Sequence, residues 1–182
     1  LQVGRVNEAV VQLRRALEID ADYANAHNNL GRALALLGRF DQALVHYEAA
    51  LAREPSDAQF HHNLSHALAQ LGRLPEAIQH GQRASELRKE SLGERHPDYA
   101  ASLNNLGLMY QSVGDYARAA ELTRRATEIW KETLGGKHPD FAAGLRNLAS
   151  VYHAGGDDAR AVDVCRQLLE ISPRDAQAHY LM

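Results

Sequence analysis

The strongest constraint on the fold of this 182-residue chain is a unit that repeats along it five times. Each copy has a glycine followed five residues later by an alanine, and four copies also have a leucine eight residues before the glycine. The glycines are Gly4, Gly38, Gly72, Gly114 and Gly156. Their intervals are 34, 34, 42 and 42 residues. Periods of this length predict a repeat protein, in which each unit buries its apolar face against its neighbours.

The apolar spacing inside each unit is that of an α-helix. Leu30, Leu34 and Leu37 lie three to four residues apart, so they share one helical face, and the segment after Gly38 repeats this spacing. Gly38 supplies the left-handed conformation that commonly ends a helix, and Pro55 stops the second segment. Each unit is therefore predicted to be a helical hairpin, and the chain is predicted to be all-α.

Two kinds of repeat occur in the chain. The stretch NLGRALALLGRFDQALVHYEAALAREP, which begins at Asn29, resembles the helix-turn-helix unit of the tetratricopeptide repeat (TPR) almost column for column. The stretches SLGERHPDYAASLNNLG and TLGGKHPDFAAGLRNLA lie 42 residues apart and resemble the longer repeats of kinesin light chains and of many bacterial signalling proteins. The resemblance implies a right-handed α-solenoid of tandem hairpins.

The repeat columns predict a single array over residues 1–182. Its parts are a partial repeat at 1–23, a repeat at 24–57, long repeats at 58–99 and 100–141, a repeat at 142–175 and the start of a further repeat at 176–182. The eight extra residues of a long repeat are expected to lengthen its second helix by about two turns, or about 12 Å. Because both ends fall inside a unit, we expect the chain to be part of a longer protein.

Composition narrows the range of partners and compartments. The net charge of −3 lacks the basic character that nucleic-acid binding requires, so no nucleic-acid partner is predicted. No apolar stretch is long enough to cross a bilayer, and no membrane partner is predicted. Cys165 is the only cysteine, so it can form no disulfide within the chain. These features favour a cytoplasmic location.

The stretch HHNLSH raises the question of a metal site. His62 and His66 are four residues apart, a spacing at which two imidazoles on one helical turn can bind zinc. The aligned positions in the other repeats hold Asn, Arg, Leu and Ser, which do not supply the further ligands that zinc needs. No metal site is predicted. The two histidines are expected to be either solvated polar residues or ligand contacts.

An asparagine recurs in the same column of all four complete first helices. These residues are Asn29, Asn63, Asn105 and Asn147. A carboxamide offers both a donor and an acceptor, which suits pairing with the backbone of an extended peptide. Hydrogen bonding between neighbouring helices is the alternative. The column therefore predicts either peptide contact or structural bonding between repeats.

The resemblance implies that the first helices line a concave groove in which peptides bind. The segments 24–37, 58–71, 99–113 and 141–154 contain no Asp or Glu, and Arg32 and Arg146 are their only formal charges. This pattern predicts a polar or acidic partner, unless the wall is merely uncharged. The candidate ligand-binding residues are Asn25, Asn28, Asn29, Arg32, His62, Asn63, His66, Asn104, Asn105, Leu108, Gln111, Arg146, Asn147, Ser150 and His153.

The motifs of enzymes are missing from the sequence. It has no glycine-rich phosphate loop, no nucleophile elbow and no paired-carboxylate arrangement, and it indicates no cofactor. The predicted function is a non-enzymatic module that binds a peptide or protein segment in the groove. Two alternatives stay open. The chain could be the regulatory or sensor region of a larger multidomain protein, with a partner domain in the same molecule, or it could be a self-assembly scaffold.

Overall fold

The computed structural model describes residues 2–182, and it describes their side chains from Gly4 onward. All regular structure in this part of the chain is α-helical. The helices are α1 (Gln2–Ile19), α2 (Ala24–Leu36), α3 (Phe40–Arg53), α4 (Ala58–Gln70), α5 (Leu74–Leu92), α6 (Pro97–Ser112), α7 (Tyr116–Leu134), α8 (Pro139–Ala154), α9 (Asp158–Ile171) and α10 (Ala176–Leu181). The predicted all-α fold of tandem helical hairpins is confirmed. None of the described helices combines the length and the apolar character needed to cross a membrane.

The chain forms two compact units, Leu1–Leu87 (unit 1) and Arg88–Met182 (unit 2). In unit 1, α2 packs against α1 and α3, and α4 packs against α2 and α3. In unit 2, α6 packs against α7 and α8, while α8 also packs against α7, α9 and α10. These helices thus contact elements close to them in sequence, as expected for a repeat protein.

The turn glycines end the first helices as predicted. Gly38 has a φ of 72°, and the equivalent Gly72, Gly114 and Gly156 have φ values of 74°, 80° and 79°. An L side chain is strained in this left-handed region, whereas glycine is not. A close contact between α2 and α3 explains the glycine at position 31, since a Cβ added to Gly31 would lie only 2.7 Å from Cε1 of Tyr47.

The extra residues of the long repeats are shared between two helices. Second helices α5 and α7 have 19 residues where α3 has 14, and first helices α6 and α8 have 16 where α2 and α4 have 13. The prediction that all eight residues lengthen the second helix is therefore wrong, because three of them extend the first helix. The His-Pro pair explains this: Nδ1 of His96 caps α6 by accepting from the Asp98 N–H, and Pro97 starts the helix.

The core of unit 2 is built from aromatic and aliphatic side chains of α6 to α10. Trp130 is 5% exposed, and its indole N–H donates to the Pro97 carbonyl at 3.3 Å. Cys165 is fully buried beside Leu168 in the same core. Both side chains thus belong to the packed core of unit 2.

Candidate functional site

A cavity of about 320 Å³ lies in unit 1 between α2, α3 and α4. We call it the unit 1 cavity, and its lining residues are Arg32, Ala35, Leu36, Phe40, Tyr47, His62, Asn63 and His66. Four of the predicted site residues, Arg32, His62, Asn63 and His66, are therefore brought together in space. A second cavity of about 260 Å³ between α1 and α2 shares Arg32 and Leu36 with the first, and Asn29 also lines it.

The unit 1 cavity has an aromatic and aliphatic wall that the sequence analysis did not include among the candidate residues. Leu36 is 72% exposed, and Phe40 and Tyr47 line the cavity from α3. Tyr47 is almost fully buried, and this burial raises its pKa to about 12, against the opposing charge of Arg32. Its hydroxyl is therefore protonated at neutral pH. Phe40 and Tyr47 were missed because all candidate residues came from the first helices, whereas these two lie on α3.

The charged side chains at the unit 1 cavity and at the neighbouring cavity between α1 and α2 are of one sign. Among their lining residues within the described chain, Arg5 and Arg32 are basic and none is acidic. Arg32 is exposed and forms no ion pair with any described residue. An uncompensated guanidinium beside an apolar wall attracts a carboxylate, since opposite charges on two surfaces favour encounter and orientation.

Two larger cavities in unit 2 have a different character. They measure about 460 and 330 Å³ and lie between α7, α8 and α9. Their walls carry Arg124 and Arg160, but Glu128 lies 2.5 Å from the first guanidinium and Asp157 lies 2.5 Å from the second. The same walls also carry Glu121, Lys131 and Asp163, so both unit 2 cavities mix acidic and basic side chains, whereas the unit 1 cavity has no acidic one among its described residues.

Two of the four asparagines in the column, Asn63 and Asn147, form hydrogen bonds between repeats. In unit 1, the Asn63 amide donates to Oδ1 of Asn28 at 2.8 Å and accepts from Gln59, also at 2.8 Å. In unit 2, Asn147 donates to Oδ1 of Asn104 at 3.0 Å. The accepting residues Asn28 and Asn104 are each only 7% exposed. For Asn63 and Asn147 these geometries favour structural bonding, and burial leaves Asn28 and Asn104 little surface for a ligand.

Arg146 is also occupied within the fold. Its Nε and Nη2 donate to Oδ2 of Asp175 at 3.1 and 2.7 Å, and the Asp175 side chain is only 7% exposed. This bond holds the pKa of Asp175 below its ordinary value. The expectation that Arg146 supplies free positive charge therefore needs correction. Asp175 was overlooked because it caps α10 and so lies outside the segments that were searched for acids.

The acid-free pattern of the first helices holds in unit 1 only. α2 and α4 contain no Asp or Glu, but α6 and α8 start earlier than predicted and include Asp98 and Asp140 in their first turns. A negative charge at a helix N-terminus is stabilised by the helix dipole, which explains this placement.

The remaining predicted residues are spread along the two units. Asn25 lies exposed at the start of α2, while Asn105 and Leu108 are partly exposed on α6. Nε2 of Gln111 donates to Oγ of Ser150 at 3.2 Å, and Nδ1 of His153 lies 2.8 Å from a carboxylate oxygen of Asp158. The structure does not gather these residues into the cavity formed around Arg32.

Four family models match successive parts of the chain. Models described as "Tetratricopeptide repeat" match residues 24–57, 56–132 and 114–176, and one described as "TPR repeat" matches residues 1–38. Together with the tandem hairpins and their turn glycines, these matches decide the family. The chain belongs to the tetratricopeptide repeat family.

Solved structures of other TPR proteins have a similar fold. The nearly identical TPR-like repeats of a Podosopora anserina protein assigned as a kinesin light chain are 26% identical, with a TM-score of 0.81 over 95% of this chain and 90% of that chain. YrrB, a TPR protein with an unusual peptide-binding site, is 20% identical, with a TM-score of 0.76 over 98% and 84%. Pseudomonas aeruginosa pilF is 23% identical, with a TM-score of 0.78 over 100% and 75%. No curated protein matches the chain.

The TPR hairpins place several histidines near one another, which bears on metal binding. In the described chain, no three or more His, Cys, Asp or Glu side chains are grouped so that they could hold a metal ion. His62 and His66 instead share the unit 1 cavity with Arg32. In this TPR chain the unit 1 cavity is therefore the site whose geometry and charge together suggest a ligand.

Proposed function

We propose that this TPR chain is a non-enzymatic module that binds an extended peptide, and that the unit 1 cavity receives an acidic side chain of that peptide. TPR repeats generally mediate protein–protein interaction, and the proposal assigns that role to a specific place. The observation that carries it is Arg32, an exposed guanidinium with no ion-pair partner in the described chain, at a cavity without a carboxylate. A peptide carboxylate would provide the missing charge.

The wall beside Arg32 indicates what accompanies the acidic residue. Leu36 is 72% exposed, and Phe40 lines the cavity next to it. Covering a large apolar side chain is worth about 1.5 to 3 kcal/mol, so the peptide gains affinity by placing an apolar residue against this wall. We therefore expect a peptide in which an acidic residue lies next to an aliphatic or aromatic one.

We further propose that the module is located in the cytoplasm. The buried, unpaired Cys165 is compatible with the reducing cytoplasm.

The peptide could belong to a separate protein or to another domain of the same protein, because the chemistry of the cavity is equal in both cases. A fluorescently labelled acidic peptide added in solution tests recognition irrespective of that origin.

The test begins with a peptide array that varies acidic, basic and apolar positions, followed by titration calorimetry with the best acidic peptide. Arg32→Glu should weaken binding at least about tenfold, because it replaces a charge-assisted hydrogen bond by repulsion. Arg15→Glu is the matched control, since Arg15 is exposed on α1 and lines neither cavity. Equal affinities for both variants would show that the peptide binds elsewhere.

A further inference from the structure

Two histidine pairs join the helices of the unit 1 hairpins with the same geometry. Nδ1 of His27 on α2 lies 3.0 Å from Nδ1 of His46 on α3. Nδ1 of His61 on α4 lies 2.9 Å from Nδ1 of His80 on α5. The ring centroids are 5.3 and 5.1 Å apart, with interplanar angles of 34° and 28°. Because the pairs recur one 34-residue repeat apart, the arrangement belongs to the repeat itself.

The outer nitrogen of each first histidine determines where the protons lie. Nε2 of His27 is 3.1 Å from the Ala21 carbonyl oxygen, and Nε2 of His61 is 3.0 Å from that of Pro55. A carbonyl oxygen only accepts, so Nε2 must carry the proton in both rings. A neutral ring then has Nδ1 free to accept. His46 and His80 must therefore donate from Nδ1 when both rings of a pair are neutral.

One added proton preserves this arrangement, and a second does not. A charged His27 donates from both nitrogens, and neutral His46 changes tautomer so that its Nδ1 accepts. When His46 is charged as well, two N–H groups and two positive charges face each other across about 3 Å, the separation found between the two Nδ1 atoms. We infer that each pair is a proton-sensitive clasp, which holds its hairpin closed with at most one added proton and releases it when both rings are charged.

The surroundings of the two clasps differ in charge. His46 is partly buried, and the charged groups that act on it are His27 on α2 and Arg14 on α1. His80 is also partly buried, and it is affected by His61 on α4 and by Glu76 on α5. Arg14 opposes protonation of its pair, whereas Glu76 favours it. The His27–His46 clasp should therefore be the more strained of the two when acid is added.

The direction of the pH effect follows from the folded and unfolded states. Burial, followed by the paired ring, lowers the pKa of His46 and of His80 below the ordinary value of 6.5. Below about pH 6.5 the unfolded chain then binds more protons than the folded one, so unit 1 loses stability as the pH falls. Above that pH the contribution is fully present. This inference does not depend on the proposed peptide.

The test compares urea unfolding of the whole chain at about pH 7.5 and about pH 5.0, followed by circular dichroism. In the double variant His46→Asn and His80→Asn, each amide can still donate to its partner ring but cannot be protonated. The acid-induced fall in the urea midpoint should shrink to about half of the wild-type fall or less. The control His96→Asn with His138→Asn also removes two histidines, and asparagine still caps α6 and α8. It should keep a larger fall than the clasp variant.

A spectroscopic measurement keeps the inference testable if the double variant does not fold. Imidazole ¹⁵N spectra of the wild type should show His27 and His61 protonated at Nε2, and each pair should take up a single proton before the amide signals of α2 to α5 change. The inference is overturned if clasp variant and wild type lose equal stability in acid. It is equally overturned if both rings of each pair become charged while those amide signals stay unchanged.

Discussion

The side-chain N–H of Asn63 on α4 donates to Oδ1 of Asn28 on α2. The two residues are 35 apart in sequence and lie on neighbouring first helices. Because Asn28 is buried, its oxygen has no ready access to water if this donor is lost. Asn63→Ala should therefore destabilise the chain by about 1 to 3 kcal/mol, the cost of an unsatisfied buried polar group. Urea unfolding measures the change. Asn29→Ala at the neighbouring exposed position should cost less than about 0.5 kcal/mol, and equal costs would contradict a structural role for Asn63.

The Arg146–Asp175 ion pair predicts a pH-dependent effect on stability. The hydrogen bonds from Arg146 lower the pKa of Asp175, so the pair stabilises the fold above the ordinary carboxyl pKa near 3.8 and loses this effect as the pH falls further. Asp175→Asn should lower the free energy of unfolding at pH 7 by about 1 kcal/mol, and by less at about pH 3. Guanidinium unfolding at both pH values checks this. A cost that does not change with pH would mean that the charge of Asp175 is irrelevant.

Gly31 contacts Tyr47 so closely that a methyl group has no room. A Cβ at this position would lie 2.7 Å from one ring carbon and 3.1 Å from the Ala43 carbonyl oxygen. Gly31→Ala should therefore cost about 1 to 3 kcal/mol by overpacking. Gly4→Ala is the matched control, because nothing lies within 4 Å of its added Cβ and alanine is favoured in a helix by about 0.5 to 1 kcal/mol. Thermal unfolding should move in opposite directions for the two variants.

Ala119 on α7 is fully buried, and its carbonyl oxygen lies 3.1 Å from a Cβ placed on Gly107 of α6. Ala119→Leu would push these two helices apart and should cost about 1 to 3 kcal/mol. Arg125 on the same helix is exposed, and its ion pair with Glu94 has a length of 2.6 Å. Arg125→Ala should cost less than about 1 kcal/mol, because exposed ion pairs contribute little. Similar losses for both variants in urea would contradict the assignment of the two helix faces.

The hairpins themselves could be predicted from the sequence because their signals are local. The spacing of Leu30 and Leu34 defines a helical face within one turn, and Gly38 ends the helix through its own backbone conformation. The start of the first helix in a long repeat is also determined by a local sequence signal. His96 caps α6 and Pro97 begins it, so this helix starts three residues earlier than the first helices of the shorter repeats do.

The chemistry of the candidate site depended on residues far apart in the chain. The sequence showed Arg32 and Arg146 as the only formal charges of the first-helix segments, but only the packed structure shows that Arg146 pairs with Asp175, 29 residues further on. Arg32 has no such partner in the described chain. A repeat column specifies which face of its own helix a residue occupies, and it does not specify what the next hairpin places opposite that residue.

The sequence by itself determined the helical repeat, its hairpin turns and its packing columns. The helices and turns depend on spacing within about ten residues, and the repeat follows from the recurrence of that spacing every 34 or 42 residues. Only the tertiary structure decided which polar groups are satisfied. His27 meets His46, 19 residues away, because the two helices of one hairpin come together, and Asn147 meets Asn104 across 43 residues because consecutive first helices do. Such partners depend on side-chain direction at a helix contact, which is defined only when the hairpins are packed.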